Sequence, residues 1–146
     1  MKTQPALLSI LLSILVLACS TPATPPASAG PSHPTTLDGT IWSVVSVAGR
    51  APVVNSRPSV TFTATEIKGS TGCNGFGGGY RYDGTTGAIA IGENLLMTEM
   101  ACPGGRDEFE TAFIQALAKS TTTTRDADGR LILGGAGGQM ILVAAR

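Results

Sequence analysis

Turn-forming residues cut this chain into strand-length pieces almost everywhere, and a chain cut so finely can close only a small, β-rich core. Gly occurs 19 times and Pro 9 times in 146 residues. Between residues 40 and 91, β-favouring runs alternate with Gly, Pro, Asn and Asp breaks. The runs 41–47, 59–63 and 66–70 each have the length of one strand. Runs 78–82 and 88–91 flank Asp83-Gly84-Thr85-Thr86-Gly87, a Gly-bearing turn that predicts a hairpin, and 95–98 predicts a further strand.

One segment breaks the period. Over 106–119, Phe109, Phe113 and Leu117 recur at i, i+4 and i+8, and Ile114 and Ala116 widen the stripe, which predicts a helix with one buried face. Asp107, Glu108 and Glu110 are expected in its first turn and Lys119 near its last, as the helix dipole favours. A Thr-rich run, 121–124, and the turn Asp126-Ala127-Asp128-Gly129 follow, then two short strands, 130–133 and 139–143. Gly134, Gly135, Gly137 and Gly138 read as a flexible loop between them. The expected class is α+β, mainly antiparallel β with one packed α-helix.

The N-terminal residues state an address. Residues 1–18 carry Lys2 and then an apolar stretch from Ala6 to Ala18, the pattern of an export signal. A spanning helix needs about 20 apolar residues, so this shorter stretch is expected to be removed. Val16-Leu17-Ala18-Cys19 resembles a bacterial lipobox, in which Cys19 is diacylated and becomes the mature N-terminus. Each buried methylene adds about 0.8 kcal/mol, so two or three acyl chains hold firmly where one does not. In a cell with two membranes, Ser20 favours the outer membrane, periplasmic side. Residues 19–36 comprise the anchor and an uncharged linker with prolines at 22, 25, 26, 31 and 34. Such a composition builds no core and favours polyproline II, with a reach of up to about 50 Å. His33 within it has no second ligand and is given no role. The folded domain is expected over 37–146.

Composition excludes more than it assigns. Ten Lys+Arg against ten Asp+Glu give no electrostatic footprint for nucleic acid. His33 is the one His, so a Ser-His-Asp triad, a Cys-His pair and a His-ligated metal each lack their central residue in the domain. The stretch from Gly72 to Gly79 invites a phosphate-loop reading, but no Gly-Lys-Ser/Thr and no helix follow it. Its glycines read as bulges, tight bends or close backbone approach. Glu93, Glu99, Asp107, Glu108 and Glu110 read as surface and helix-cap charges. Trp42, Phe62, Phe76, Tyr80 and Tyr82 read as packing residues, with a ligand cleft as the sharper alternative.

Three segments in order carry a resemblance: Gly69 to Phe76 around Gly72-Cys73-Asn74, then Thr98-Glu99-Met100-Ala101-Cys102, then the Glu110-led helix ending Ala116-Leu117. Trp42 after Leu37-Asp38-Gly39-Thr40 and the start Gly78-Gly79-Tyr80 fit the same pattern. Together they resemble the META domain, the family of the heat-shock lipoprotein HslJ. The resemblance implies a barrel-like antiparallel sheet with one helix against it. It also implies an envelope context of heat shock and novobiocin resistance, with virulence and motility in some protists. It implies no reaction, cofactor or active site.

Cys73 and Cys102 are the cysteines that remain after Cys19, and an exported protein meets an oxidising compartment, so they are expected to pair. Closing a loop of about 30 residues stabilises by about 3 to 4 kcal/mol in the chain-entropy model. Two separate buried thiols, or a redox-active pair with Cys102 just before the helix, are the alternatives. The expected protein is a monomeric, non-enzymatic, lipid-anchored envelope module. Its expected partners are the membrane, through Cys19, and an unknown ligand or protein. A thiol-dependent redox protein and an apolar-ligand carrier using the barrel interior are the rival readings.

Overall fold

The computed structural model describes residues 32–145. The leader, Cys19 and the linker up to residue 31 lie outside them. The elements are β1 (Ile41–Val47), β2 (Ser59–Phe62), β3 (Glu66–Ser70), β4 (Gly75–Asp83), β5 (Ala88–Ile91), β6 (Leu96–Met97), α1 (Arg106–Ala118), β7 (Ser120–Arg125), β8 (Leu131–Gly135) and β9 (Met140–Ala144). All pairings are antiparallel. The order β3-β2-β1-β9-β8-β7-β5-β4 returns to β3 through Glu66 opposite Gly79 and Ser70 opposite Gly75, which closes an eight-strand barrel. The short β6 extends the line of β5 along β4, where Phe76 faces Met97.

Alternation fills the barrel. Trp42 and Val44, Val60 and Phe62, Leu131 and Leu133, and Met140 and Leu142 point inward with at most 3% of their surface exposed. Phe62 meets Tyr80 edge-on at 5.1 Å between ring centroids. The interior therefore holds side chains.

Each mouth has its own stopper. At the mouth where β4 begins and β5 ends, α1 packs across β1, β5, β8 and β9 and buries Phe109, Phe113, Ala116 and Leu117. Phe113 meets Phe76 at 5.3 Å. At the other mouth the stopper is the segment 32–36, expected to be part of a stalk. Ser32 bridges to Arg125 of β7, and His33 Nε2 lies 2.9 Å from the Thr85 carbonyl. Tyr82 donates its hydroxyl to the Pro34 carbonyl, and Leu37, 1% exposed, closes the centre. Gly84 lets this strap cross the hairpin, because a Cβ there would stand 1.9 Å from the Thr35 carbonyl oxygen. A stalk composition thus still supplies backbone groups that complete the ladder beyond the single β5–β7 pair, Ala88 with Thr122.

The elements differ from expectation where Gly or Thr dominates. β4 begins at Gly75, not residue 78, because pairing with β3 imposes extended backbone on residues of low β propensity. The Thr-rich run is a full strand, β7, held by β8 along its length. Gly134 and Gly135 belong to β8 and not to a flexible loop. The sequence expected 95–98 as a strand; only Leu96–Met97 pairs. Lys119 is the C-cap of α1, and no basic residue lies in its last turn.

Candidate functional site

The three segments that carry the family resemblance meet at the helix mouth. A tight turn joins β3 to β4: Thr71 donates its N–H to the Asn74 carbonyl at 2.8 Å, and Asn74 returns its N–H to Thr71 Oγ1 at 3.0 Å. Gly72 takes φ 96° in this turn, a left-handed conformation that costs glycine little. The turn drives the Asn74 side chain, 3% exposed, between β6 and α1.

Asn74 is the hub. Its Oδ1 accepts from Thr98 Oγ1 and from the Met100 N–H, each at 2.8 Å. Its Nδ2 donates to Glu110 Oε1 at 3.0 Å and to the Met100 carbonyl at 3.2 Å, and it touches Cys102 Sγ at 3.2 Å. Glu110 Oε2 accepts from Thr71 Oγ1 at 2.5 Å and from the Asn74 N–H at 3.3 Å. Thr98 Oγ1 also accepts the Gly75 N–H at 3.0 Å. An amide has two donor hydrogens and two acceptor lone pairs, and here all are engaged.

The Cys73–Cys102 disulfide, with an S–S distance of 2.01 Å and Cα atoms 5.9 Å apart, sits on this knot. It ties the β3–β4 turn to the segment before α1, over a sequence separation of 29. The expected pairing is present, and neither sulfur is a thiol.

The expected site residues divide by what they contribute. Gly72, Cys73, Asn74, Thr98 and Cys102 come together through backbone shape or side chain. Met100 joins through its backbone alone, since its side chain is 59% exposed, and Ala101 is exposed. Cys19 lies outside the described residues. Glu110, which its place in the sequence marks as a helix-cap charge, is the carboxylate that locks Thr71 and Asn74. Its place one turn into the helix, beside the Phe109–Phe113 stripe, was the available signal.

Chemically the knot is closed. Among the described residues the buried side-chain polar atoms without a partner are Arg106 Nε and Thr123 Oγ1, and neither belongs to it. No group of three or more His, Cys, Asp and Glu able to hold a metal occurs among them. An open groove of about 510 Å³ runs over Lys68, Gly75, Leu96 and Thr98, where the Thr98 hydroxyl is already donated to Asn74 Oδ1. A second, of about 360 Å³, lies under the strap between Asp38, Tyr80, Arg81 and Tyr82. Burial first, then the Asp38 charge, raises the Tyr80 phenol above its ordinary 10.0. It stays protonated and donates to the Thr63 carbonyl at 2.7 Å.

The META domain family model matches residues 35–146. The chain belongs to the META domain family. Its three segments meet in one buried knot, and the matched range begins within the strap. Three solved structures share the fold. One is an NMR structure of a protein from Burkholderia xenovorans, with 24% identity, TM-score 0.62, and coverage of 86% of this chain and 96% of that one. A second NMR structure has 22% identity, TM-score 0.60, and coverage of 74% and 91%. The third is a crystal structure of a DUF4847 family protein from Bacteroides vulgatus, with 18% identity, TM-score 0.57, and coverage of 75% and 94%. No curated protein matches the chain.

Proposed function

We propose that this META domain protein is a lipid-anchored, non-catalytic envelope module that supports stress or antibiotic tolerance through contact with a ligand or protein. One observation carries the non-catalytic part: the side-chain polar groups of Thr71, Asn74, Thr98 and Glu110 are engaged with one another and with neighbouring backbone, and none of the buried polar atoms without a partner belongs to the knot, so the knot is a scaffold. An active site needs the reverse, groups held in place yet unsatisfied until substrate arrives. The lipid anchor rests on the Val16-Leu17-Ala18-Cys19 lipobox, and the disulfide fits an oxidising compartment.

The rival readings have less support. A thiol catalyst requires a thiolate, and both sulfurs are paired. A carrier of apolar ligands requires interior space, and the barrel is filled by residues such as Phe62, Phe113, Leu133 and Met140. Intact-mass analysis of the protein from its native envelope, before and after reduction with alkylation, tests the proposal. The expected result is a chain starting at Cys19 with acyl mass that gains two alkyl groups only after reduction. Alkylation without reduction would revive the redox reading, and absence of acyl mass would remove the anchor.

A further inference from the structure

The outer wall of the barrel is electrically lopsided. β3 and β4 present Glu66, Lys68, Arg81 and Asp83 to solvent. The outward positions of β2, β1, β9, β8 and β7, five consecutive neighbours in the ring, are uncharged, and Arg125 at the end of β7 lies instead over the ring of the inward Trp42, 5.3 Å from its centroid. At the centre of that wall stand Ile41 and Val45 of β1, Ile141 and Val143 of β9, and Ile132 of β8. Ile41 is 55% exposed and Val45 40%. Register makes the group contiguous, since Val143 pairs with Ser43 and Ile132 with Ile141.

The two ends of this wall differ from its middle. The loop from β1 to β2 carries Val54, 80% exposed, between the exposed Arg50 and Arg57. Neither Arg is in an ion pair among the described residues, where Arg130 makes both. At the opposite end the first described residue, Ser32, is held on Arg125 of β7, the strand that ends the wall on that side. Residues 19–31 separate that point from the anchor, on the order of 40 Å when extended.

We propose that this uncharged wall lies on the lipid surface, with the tether at one end and Arg50 and Arg57 on anionic headgroups at the other. The inference rests on the anchored reading above. Area argues against a second copy as the occupant. Five strands about 4.8 Å apart and five residues long give a face of about 400 Å², whereas a stable interface buries about 800 Å² per partner. A chain already tethered to the bilayer needs only a weak further contact, because the tether sets a high effective concentration. Cations beside an aliphatic face suit an anionic membrane surface.

The test places the acylated full chain in nanodiscs of phosphatidylcholine and phosphatidylglycerol doped with a gadolinium-chelating lipid. The amide signals of Ile41, Val45, Ile141 and Val143 are expected to lose intensity while those of Lys68 and Arg81 keep theirs. Equal loss on both walls, or no loss on either, overturns the proposal. Residues 20–146, which contain the whole closed barrel, judge the wall without the anchor. Their binding to vesicles of the same two lipids is expected to weaken at least about tenfold in the Ile41→Asp, Val45→Asp double variant, the equivalent of about 1.4 kcal/mol. Unchanged binding overturns the proposal, as does sedimentation of this piece as a dimer that the double variant dissociates. Native protein without acyl mass sinks the anchor alone, and the vesicle comparison still decides the wall.

Discussion

The two mouths of the barrel are closed by different physics. At the helix mouth, segments distant in sequence are locked by a covalent bridge and a saturated polar knot around Asn74. At the strap mouth, residues 32–36 lie across the β4–β5 hairpin through contacts to main-chain oxygens, with one buried apolar side chain, Leu37. A buried polar network is all or nothing, because every partner it loses becomes an unpaired group in a low dielectric. A strap held by exposed backbone bonds opens locally at little cost. The helix mouth is therefore the part whose loss unfolds the domain, and the strap mouth the part that opens first.

Asn74→Ala tests that contrast hardest. It strands Glu110 Oε1 and the Met100 N–H and carbonyl and takes the acceptor from the Thr98 hydroxyl; Thr98 and Met100 are exposed, so each loss stands near the low end, about 1 kcal/mol, and the expected total is about 3 to 5 kcal/mol in urea unfolding. A loss under about 1 kcal/mol would mean that water replaces the amide and that the knot is not the lock described. Replacing Cys73 and Cys102 together by Ser should cost about 3 to 4 kcal/mol by loop-closure entropy. Its combination with Asn74→Ala should be non-additive, because both hold the same turn.

The strap mouth should respond more mildly. Gly84→Val places side-chain atoms where Thr35 passes, and overpacking of this kind costs about 1 to 3 kcal/mol. Limited proteolysis should then cut within 32–36 while the rest of the domain stays resistant. Global unfolding in this variant would show instead that the strap is as integral as the helix. Ala48→Gly works in the opposite direction. Ala48 holds φ 48° in the two-residue turn between Val47 and Arg50, and relieving a left-handed Ala should stabilise by about 1 kcal/mol, read as a rise in urea midpoint.

The smallest effect concerns acid. Asp83 accepts from the Thr85 N–H at 2.8 Å and the Thr86 hydroxyl at 2.9 Å, and these bonds hold its carboxyl below the ordinary 3.8. A carboxyl lowered by folding contributes stability above its unfolded value and loses it as pH falls through its folded value. The hairpin beneath the strap should therefore loosen only in strong acid. NMR titration of the Asp83 carboxyl with a midpoint at or above 3.8 would contradict this.

Much of this was legible in the residues, and the misses share a cause. Alternation located β1, β3 and β5 at their observed ends, and the spacing of Phe109, Phe113 and Leu117 located the helix, because each signal is written by neighbours along the chain. The Thr run of β7 carries no apolar alternation, and the Gly residues that begin β4 have no side chain to pattern, so neither announces a strand along the chain. In both, a partner strand supplies the order. Glu110 and Asn74 are 36 residues apart, and only the fold makes them neighbours.

By itself, then, the sequence determined the β-rich class, the helix near residues 106–118, the pair of cysteines and the segments that mark the META domain. These are properties of composition and local period. Tertiary structure decided that the marker segments form a saturated knot, that the end of the linker stops one mouth, and that charge gathers on one wall. Each of these depends on which groups the closed sheet brings within hydrogen-bond reach or turns to the same side, and that is set by strand pairing across the barrel.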